Sequence, residues 1–249
     1  MEWFESWFDT PYYHLLYSNR DYTEAENFIT KLTQELQLPQ SSKIIDLACG
    51  KGRHSVFLNK LGYDVLGLDL SQQSIDFDKQ FETSTSLSSS EPTLRFKVHD
   101  MRNPIDSEPV DAVFNLFTSF GYFDDEKDDR NVFKSVYNAL KSEGFFVLDY
   151  LNEEYVTKNL VPETTIQRGG IDFHISKKIE GRHIIKDIRF EIDGEPKHFF
   201  EKVKLHTLET IENYASECGF ERIKIWGDYQ LNEFQKEISP RCINLFKKK

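Results

Sequence analysis

Between Lys43 and Leu70 the chain reads KIIDLACGKGRHSVFLNKLGYDVLGLDL, and few folds accommodate that order of residues. Two short apolar runs, Ile44-Ile45 and Val65-Leu66, flank a stretch of helical pattern. An acid closes each run, Asp46 the first and Asp69 the second, and Ala48-Cys49-Gly50-Lys51-Gly52 forms the turn between. Strand, tight turn and helix in this order set backbone N–H groups at the carboxyl edge of a sheet. Gly50 and Gly52 let a ligand approach the backbone where a Cβ would collide. Asp69 lies about 20 residues further on, at the end of the next strand, where a carboxylate accepts from both hydroxyls of a ribose. The stretch is the β-loop-α-β unit of a nucleoside-binding α/β fold.

The rest of the chain extends that unit. Before it, Asp21 to Leu36 carries an apolar stripe, Ala25, Phe28, Ile29, Leu32 and Leu36, at helical spacing. After it, Ser71 caps a helix carrying Ile75 and Phe81, and Thr83 to Ser90 is a serine-rich surface loop. Strands follow at Leu94–Val98 and Val110–Phe117, a helix from the acidic run Asp124–Asp129 to Leu140, and a strand at Phe145–Leu148. Alternation of strand and helix predicts a mostly parallel sheet with helices on both faces.

Past Asp149 the period changes. Ile171, Phe173 and Ile175 alternate with polar residues, as do Ile188, Phe190 and Ile192 before the turn-like Asp193-Gly194-Glu195-Pro196. Residues 153–205 are therefore expected to be an antiparallel, β-rich cap inserted into a core of residues 21–152 and 206–249. Thr207 caps a last helix that stops at Gly219, and strands near Ile223–Trp226 and Arg241–Phe246 close the chain. Residues 1–20 form an aromatic arm with Trp3, Phe4, Trp7 and Phe8 on one helical face, and Thr10-Pro11 opens a second short helix through Tyr17. The arm reads either as a lid over a ligand or as a packing face, against the core or a second copy in a homodimer.

Composition narrows the partners. A formal net charge of −11 excludes the basic face that a nucleic acid favours, and mildly suits a neutral or cationic small molecule. No apolar run approaches the roughly 20 residues of a membrane helix. Three cysteines with no C-x-x-C point to a reducing compartment, and the start MEWFESWFD has no basic n-region. A cytoplasmic protein without a membrane or nucleic-acid partner is the expectation. The seven histidines are scattered and no metal site is expected.

Two ligands compete for the turn. Gly50-x-Gly52-x-x-Ser55 approximates the dinucleotide fingerprint with serine at the third glycine, so an NAD-dependent dehydrogenase is one reading. Asp46 opposes it, because a carboxylate at the strand end repels a pyrophosphate but suits a cationic ligand. The stretch D-x-A-C-G-x-G-R-H-S, the later L-G-L-D-L-S and the H-D-M-R after the third strand resemble class I S-adenosylmethionine-dependent methyltransferases. Phe117-Thr-Ser-Phe-Gly-Tyr-Phe123, Leu140-Lys-x-x-Gly144, Cys218-Gly-Phe220 and Ser239-Pro-Arg241 are similar to the small-molecule branch typified by glycine N-methyltransferases.

That resemblance implies a Rossmann-like seven-stranded sheet and methyl transfer from S-adenosylmethionine to a small-molecule acceptor. It also implies roles by position. Asp46, Ala48 (where the family's usual glycine is replaced), Gly50 and Gly52 line the methionine end, and Asp69 holds the ribose with Leu70 beside the adenine. Asp100 accepts from the adenine amino group, Met101 backs the ring, and Asn115, Leu116 and Phe117 form the wall. Tyr13, Tyr17 and Arg20 are placed to close over the cofactor, and Arg53 pairs with Asp46, with a ligand carboxylate or with solvent. If the acceptor must lose a proton, Tyr122, His206 and His14 are the candidate bases. A protein that binds the cofactor only to sense it or to scaffold a partner stays open as a further reading.

Overall fold

The computed structural model describes residues 2–18, 22–83 and 92–249. The first strand, β1 (Lys43–Leu47), lies inside the main sheet with four of five residues buried. β1 pairs in parallel with β2 (Asp64–Asp69) on one side and β4 (Val110–Asn115) on the other, Ile45 opposing Leu66 and Val113. β3 (Leu94–Val98) extends the sheet beyond β2, and β5 (Leu140–Leu151) extends it beyond β4. The chain runs outward from β1 through β2 to β3, then crosses back to β4. This reversal opens a crevice at the carboxyl ends of β1 and β4.

Both faces are covered. Ile44, Ala112 and Phe114 point to α3 (Tyr22–Leu36), α4 (Arg53–Lys60) and α5 (Gln72–Asp78), packing with Phe28, Ile29, Leu58 and Ile75. The alternate residues Ile45, Leu47 and Val113 pack with Val132 and Phe133 of α6 (Glu126–Ala139) and with Ile211 and Tyr214, which lie further along the chain in the last helix. The expected caps form. Ser71 accepts from Ser74 N at the start of α5, and Thr10 accepts from Tyr13 N at the start of α2 (Pro11–Leu16), with Pro11 at the first turn.

A second, four-stranded antiparallel sheet comprises β6 (Glu163–Arg168), β7 (Ile171–Glu180), β8 (His183–Ile192) and β9 (Glu195–Lys204). It follows a short helix, α7 (Glu153–Lys158), that the polar sequence did not announce. Asp193 and Gly194, both at positive φ, make the two-residue hairpin between β8 and β9. One face of this sheet buries Phe173, Ile175, Ile188 and Phe190 against Trp7 of α1 (Trp3–Phe8) and Leu16 of α2. β9 is tied to the core: Lys204 N donates to Gly121 O at 2.8 Å, and Lys204 Nζ to the buried Asp129 at 2.6 Å.

The chain returns through α8 (Leu208–Cys218) to β10 (Phe220–Trp226) and β11 (Arg241–Lys248). β11 lies antiparallel between β5 and β10, giving the seven-stranded order β10-β11-β5-β4-β1-β2-β3. The fold is Rossmann-like, mostly parallel, with helices on both faces and a separate antiparallel sheet. β4 stops two residues earlier than the apolar run suggested, because Phe117 and Thr118 take left-handed backbone, φ 59° and 63°. β5 begins at Leu140, before Gly144, since α6 passes into it directly. Among the described residues, no helix is long and apolar enough to cross a membrane.

Candidate functional site

Three adjoining cavities lie along the crevice, beneath α1 and α2. The first holds about 730 Å³ of space between Phe8, Leu70 and Met101, with Asp69 and Asp100 on its rim. The second runs past Asp46, Ala48, Gly50 and Arg53 to Phe117. The third, about 950 Å³, lies between the 117–122 segment and the antiparallel sheet, bounded by Tyr17, Lys177, Lys186, Glu201 and Arg241. Tyr13 and Ser119 line all three, so the cavities meet at these two side chains.

The loop after β1 sets the floor. Ala48, Gly50 and Gly52 all have positive φ, 62°, 57° and 64°. Nothing would obstruct a Cβ at Gly50, so that glycine answers to backbone conformation and to whatever approaches it from the cavity. A Cβ at Gly52 would stand 2.9 Å from the Phe96 ring, so that glycine also answers to packing. Cys49 is buried beneath the loop, its thiol pushed well up by burial, and it behaves as a packing residue.

Three carboxyls surround this loop. Asp69 Oδ2 accepts from Gly50 N at 2.8 Å and Oδ1 from Ser71 N at 2.9 Å, which fixes it between loop and helix cap. A carboxylate offers about four lone-pair directions, so two remain for hydroxyls of a ligand. Burial pushes its pKa up, and backbone N–H donors from Ser71, Gly50 and Leu70 oppose that. Asp46 is buried and accepts from the Ser55 hydroxyl at 2.6 Å, with burial raising it to about 6. Asp78, behind the loop, has both oxygens buried without a hydrogen-bond partner among the described residues, and burial raises it to about 8. At neutral pH Asp78 is a neutral acid and Asp46 is mostly ionised, an anion suited to a cationic group.

Other side chains shape the first cavity. Arg102 clamps Asp100, Nε to Oδ1 at 3.0 Å and the terminal nitrogen to Oδ2 at 2.7 Å. Burial raises Asp100 but these bonds outweigh it and hold the carboxyl below its usual range. His14 faces the first and second cavities with Nε2 buried and without a hydrogen-bond partner among the described residues, and burial lowers it to about 4. It is neutral at pH 7 and too weakly basic to drive proton removal.

The structure sorts the expected residues. Tyr13, Asp46, Ala48, Gly50, Asp69, Leu70, Asp100, Met101, Leu116 and Phe117 line the first two cavities, and Tyr17 the second and third. Gly52 stands behind the loop, against Phe96 and Asp78. Asn115 is not part of the wall: its side chain is buried within the sheet and its Nδ2 donates to Leu47 O at 3.1 Å. His206 is not in the crevice but packs among Phe120, Tyr150 and Tyr214, 3.3 Å from Asp129. Tyr122 does line the first and third cavities, and its hydroxyl donates to Thr118 O. Arg20 lies outside the described residues.

Sequence reasoning missed Lys177, Lys186 and Glu201 as lining residues, and named Ser119 and Arg241 only as parts of motifs. The two lysines carried a signal, since each interrupts an apolar alternation on its strand. Glu201 carried none. The chain's acidic total does not extend into the third cavity, where three cationic side chains face one carboxylate.

Comparison with known proteins is consistent in direction. Residues 39–210 match the family model described as a methyltransferase domain. A putative methyltransferase YqeM of Bacillus subtilis is 30% identical, over 78% of this chain and 80% of that protein. A glycine/sarcosine N-methyltransferase of Aphanothece halophytica is 26% identical over 85% of this chain and 77% of its own length. Among solved structures, an S-adenosylmethionine-dependent methyltransferase from Clostridium acetobutylicum superposes with a TM-score of 0.78 at 21% identity, covering 95% of this chain and 96% of that one. At that identity the likeness is one of fold.

Proposed function

The chain belongs to the methyltransferase-domain family and is an S-adenosylmethionine-dependent methyltransferase, and on that premise we propose how its crevice divides between methyl donor and small-molecule acceptor. The first cavity takes the adenosine. Leu70, Met101 and Phe8 give the base apolar walls, Asp100 stands at its rim, and Asp69 accepts from the ribose hydroxyls. The second cavity takes the amino-acid tail, whose ammonium group lies toward Asp46. The loop backbone and the neutral His14 complete that wall. The orphaned His14 Nε2 and the unused lone pairs of Asp69 are polar groups that a bound nucleoside would satisfy. The third cavity takes the acceptor.

When bound, S-adenosylmethionine supplies a methyl group on a sulfonium, ready for in-line displacement. The protein holds the acceptor's nucleophilic atom in near-attack geometry and excludes water, which accounts for most of the rate gain available to such a site. Tyr13 and Ser119 stand where the cavities join and border the line of transfer. Tyr13, Tyr122 and Phe8 surround that junction with rings whose faces favour a cation. Tyr122 serves as a wall rather than a base, because its hydroxyl proton is committed to Thr118 O. The shared lining by Tyr13 and Ser119 is the observation that carries this division.

The test is a thermal shift with S-adenosylmethionine, S-adenosylhomocysteine and NAD, since a ligand that binds only the folded state raises the melting temperature. Both sulfur ligands are expected to raise it and NAD to leave it unchanged. Ser119→Trp, which fills the junction, is expected to abolish transfer of isotope-labelled methyl into acceptor. A shift with NAD alone would sink the reading.

A further inference from the structure

The antiparallel sheet carries a charged row where its pattern calls for apolar residues. Side chains alternate along a strand, so Phe173, Ile175 and position 177 share one face of β7, and Phe190, Ile188 and position 186 share one face of β8. The first two of each set are buried against the arm. The third is a lysine on both strands, and Lys177 and Lys186 are direct register partners. Both face the third cavity.

Like charges directly opposite one another destabilise a sheet. Here they are also withdrawn from bulk water: the Lys186 side chain is 15% exposed. The neighbouring acid balances only one of the two lysines, and Lys186 Nζ also donates to the Tyr17 hydroxyl. Glu201, the partner of Lys186 on β9, lies 3.5 Å from its Nζ. It also accepts from Trp7 Nε1 at 2.9 Å and from the Tyr17 hydroxyl at 2.6 Å, so it is held as a strut between arm and sheet. Across the cavity Arg241 is matched by Asp149, Nε to Oδ1 at 2.8 Å. Among the described residues Lys177 has no ion pair. One positive charge is therefore left over on the cavity wall, beside a second one in register.

We infer that the methyl acceptor carries an oxyanion, a carboxylate or a phosphate, and that this group docks between Lys177 and Lys186. Its reactive atom then points away from the sheet toward Tyr13 and Ser119. The arrangement makes the lysine pair a specificity element: the acceptor's charge relieves the repulsion between the two lysines, and a neutral analogue gains nothing from it. This rests on the third cavity being the acceptor site, and the experiment separates the two claims.

Protein saturated with S-adenosylhomocysteine is titrated with acetate, inorganic phosphate and the neutral isostere acetamide at constant ionic strength, and melting is followed. A saturable rise is expected with acetate or phosphate, the active one telling carboxylate from phosphate, and none with acetamide. Lys177→Met and Lys186→Met are each expected to weaken that response about tenfold or more, the loss of a charge-assisted hydrogen bond, and Lys177→Arg to restore it. Lys177→Met also removes the like-charge contact, so without anion it should melt no lower than the parent protein. S-adenosylhomocysteine affinity should be unchanged in the Lys177 variants. No response to either anion, an equal response to acetamide, or unaltered anion binding in both Met variants overturns the inference. Failure of S-adenosylhomocysteine to bind would instead overturn the donor site, and the anion titration without it still judges the lysine pair.

Discussion

Asp78 shows how far burial can govern one residue's chemistry. It sits in the last turn of α5 with neither oxygen hydrogen-bonded among the described residues. Burial is the main cause of its rise to about 8; Asp69 and Asp46 push the same way, and Lys51 opposes them. The unfolded chain loses this proton near the ordinary carboxyl value of 3.8, whereas the folded protein keeps it up to about 8. Between those values the native state binds more protons than the unfolded state, so stability falls as pH rises, then levels above about 8. The expected slope approaches about 1.4 kcal/mol per pH unit below the folded pKa. Asp78→Asn keeps the shape and removes the titration, so its unfolding free energy by urea should not show that fall between pH 6 and 8. A variant as pH-sensitive as the parent would refute the assignment.

At the scale of elements, two turns carry backbone strain and both border the cofactor crevice. Ala48 occupies a left-handed position in the loop after β1, where an L-residue with a Cβ pays about 1–2 kcal/mol. Phe117 and Thr118 repeat the device after β4, and the β-branched Thr118 is the rarer case. The second turn is held from below. Asp149 at the end of β5 accepts from Phe117 N at 2.7 Å, and Thr118 N donates to Asp149 O at 3.1 Å. Arg241, at the start of β11, closes the set by donating to Asp149 and, at 2.6 Å, to the Thr118 hydroxyl. The antiparallel last strand thus fixes the turn that lines the second and third cavities. For the first turn, Ala48→Gly relieves the strain at the cost of added freedom in the unfolded chain. It should raise stability by about 0.5–1 kcal/mol, seen as a higher urea midpoint with an unchanged slope. A lower midpoint would show that Ala48 is not strained.

Across the whole molecule, the aromatic arm joins the two sheets. Phe4 and Phe8 face the first cavity while Trp7 packs on Phe199 of β9 with ring centres 4.7 Å apart. Its indole also reaches Glu201. On the proposed division of the crevice, donor and acceptor would both touch this short segment. Amide hydrogen exchange should slow across residues 3–16 when S-adenosylhomocysteine binds, while β1 and β4, already central in the sheet, should change little. Unaltered exchange in the arm would make it a packing element and not a cover.

The sequence by itself determined the parallel core, the turn after β1 and most of the residues that line the first two cavities. These depend on short-range signals: apolar runs of fixed length, glycines where the backbone needs them, and an acid at the end of each strand. It also showed an antiparallel region, because alternation of period two is visible within a single strand. Register was not visible. Lys177 and Lys186 are nine positions apart in the chain, and only pairing of β7 with β8 sets them opposite one another. His206 looked as available as Tyr122, and only packing put one beside Asp129 and the other in the crevice wall. Arg241 reaches Asp149 across β5 and β11 for the same reason. Local chemistry along the chain set the turn after β1, whereas distances between strands remote in sequence decided what stands opposite it.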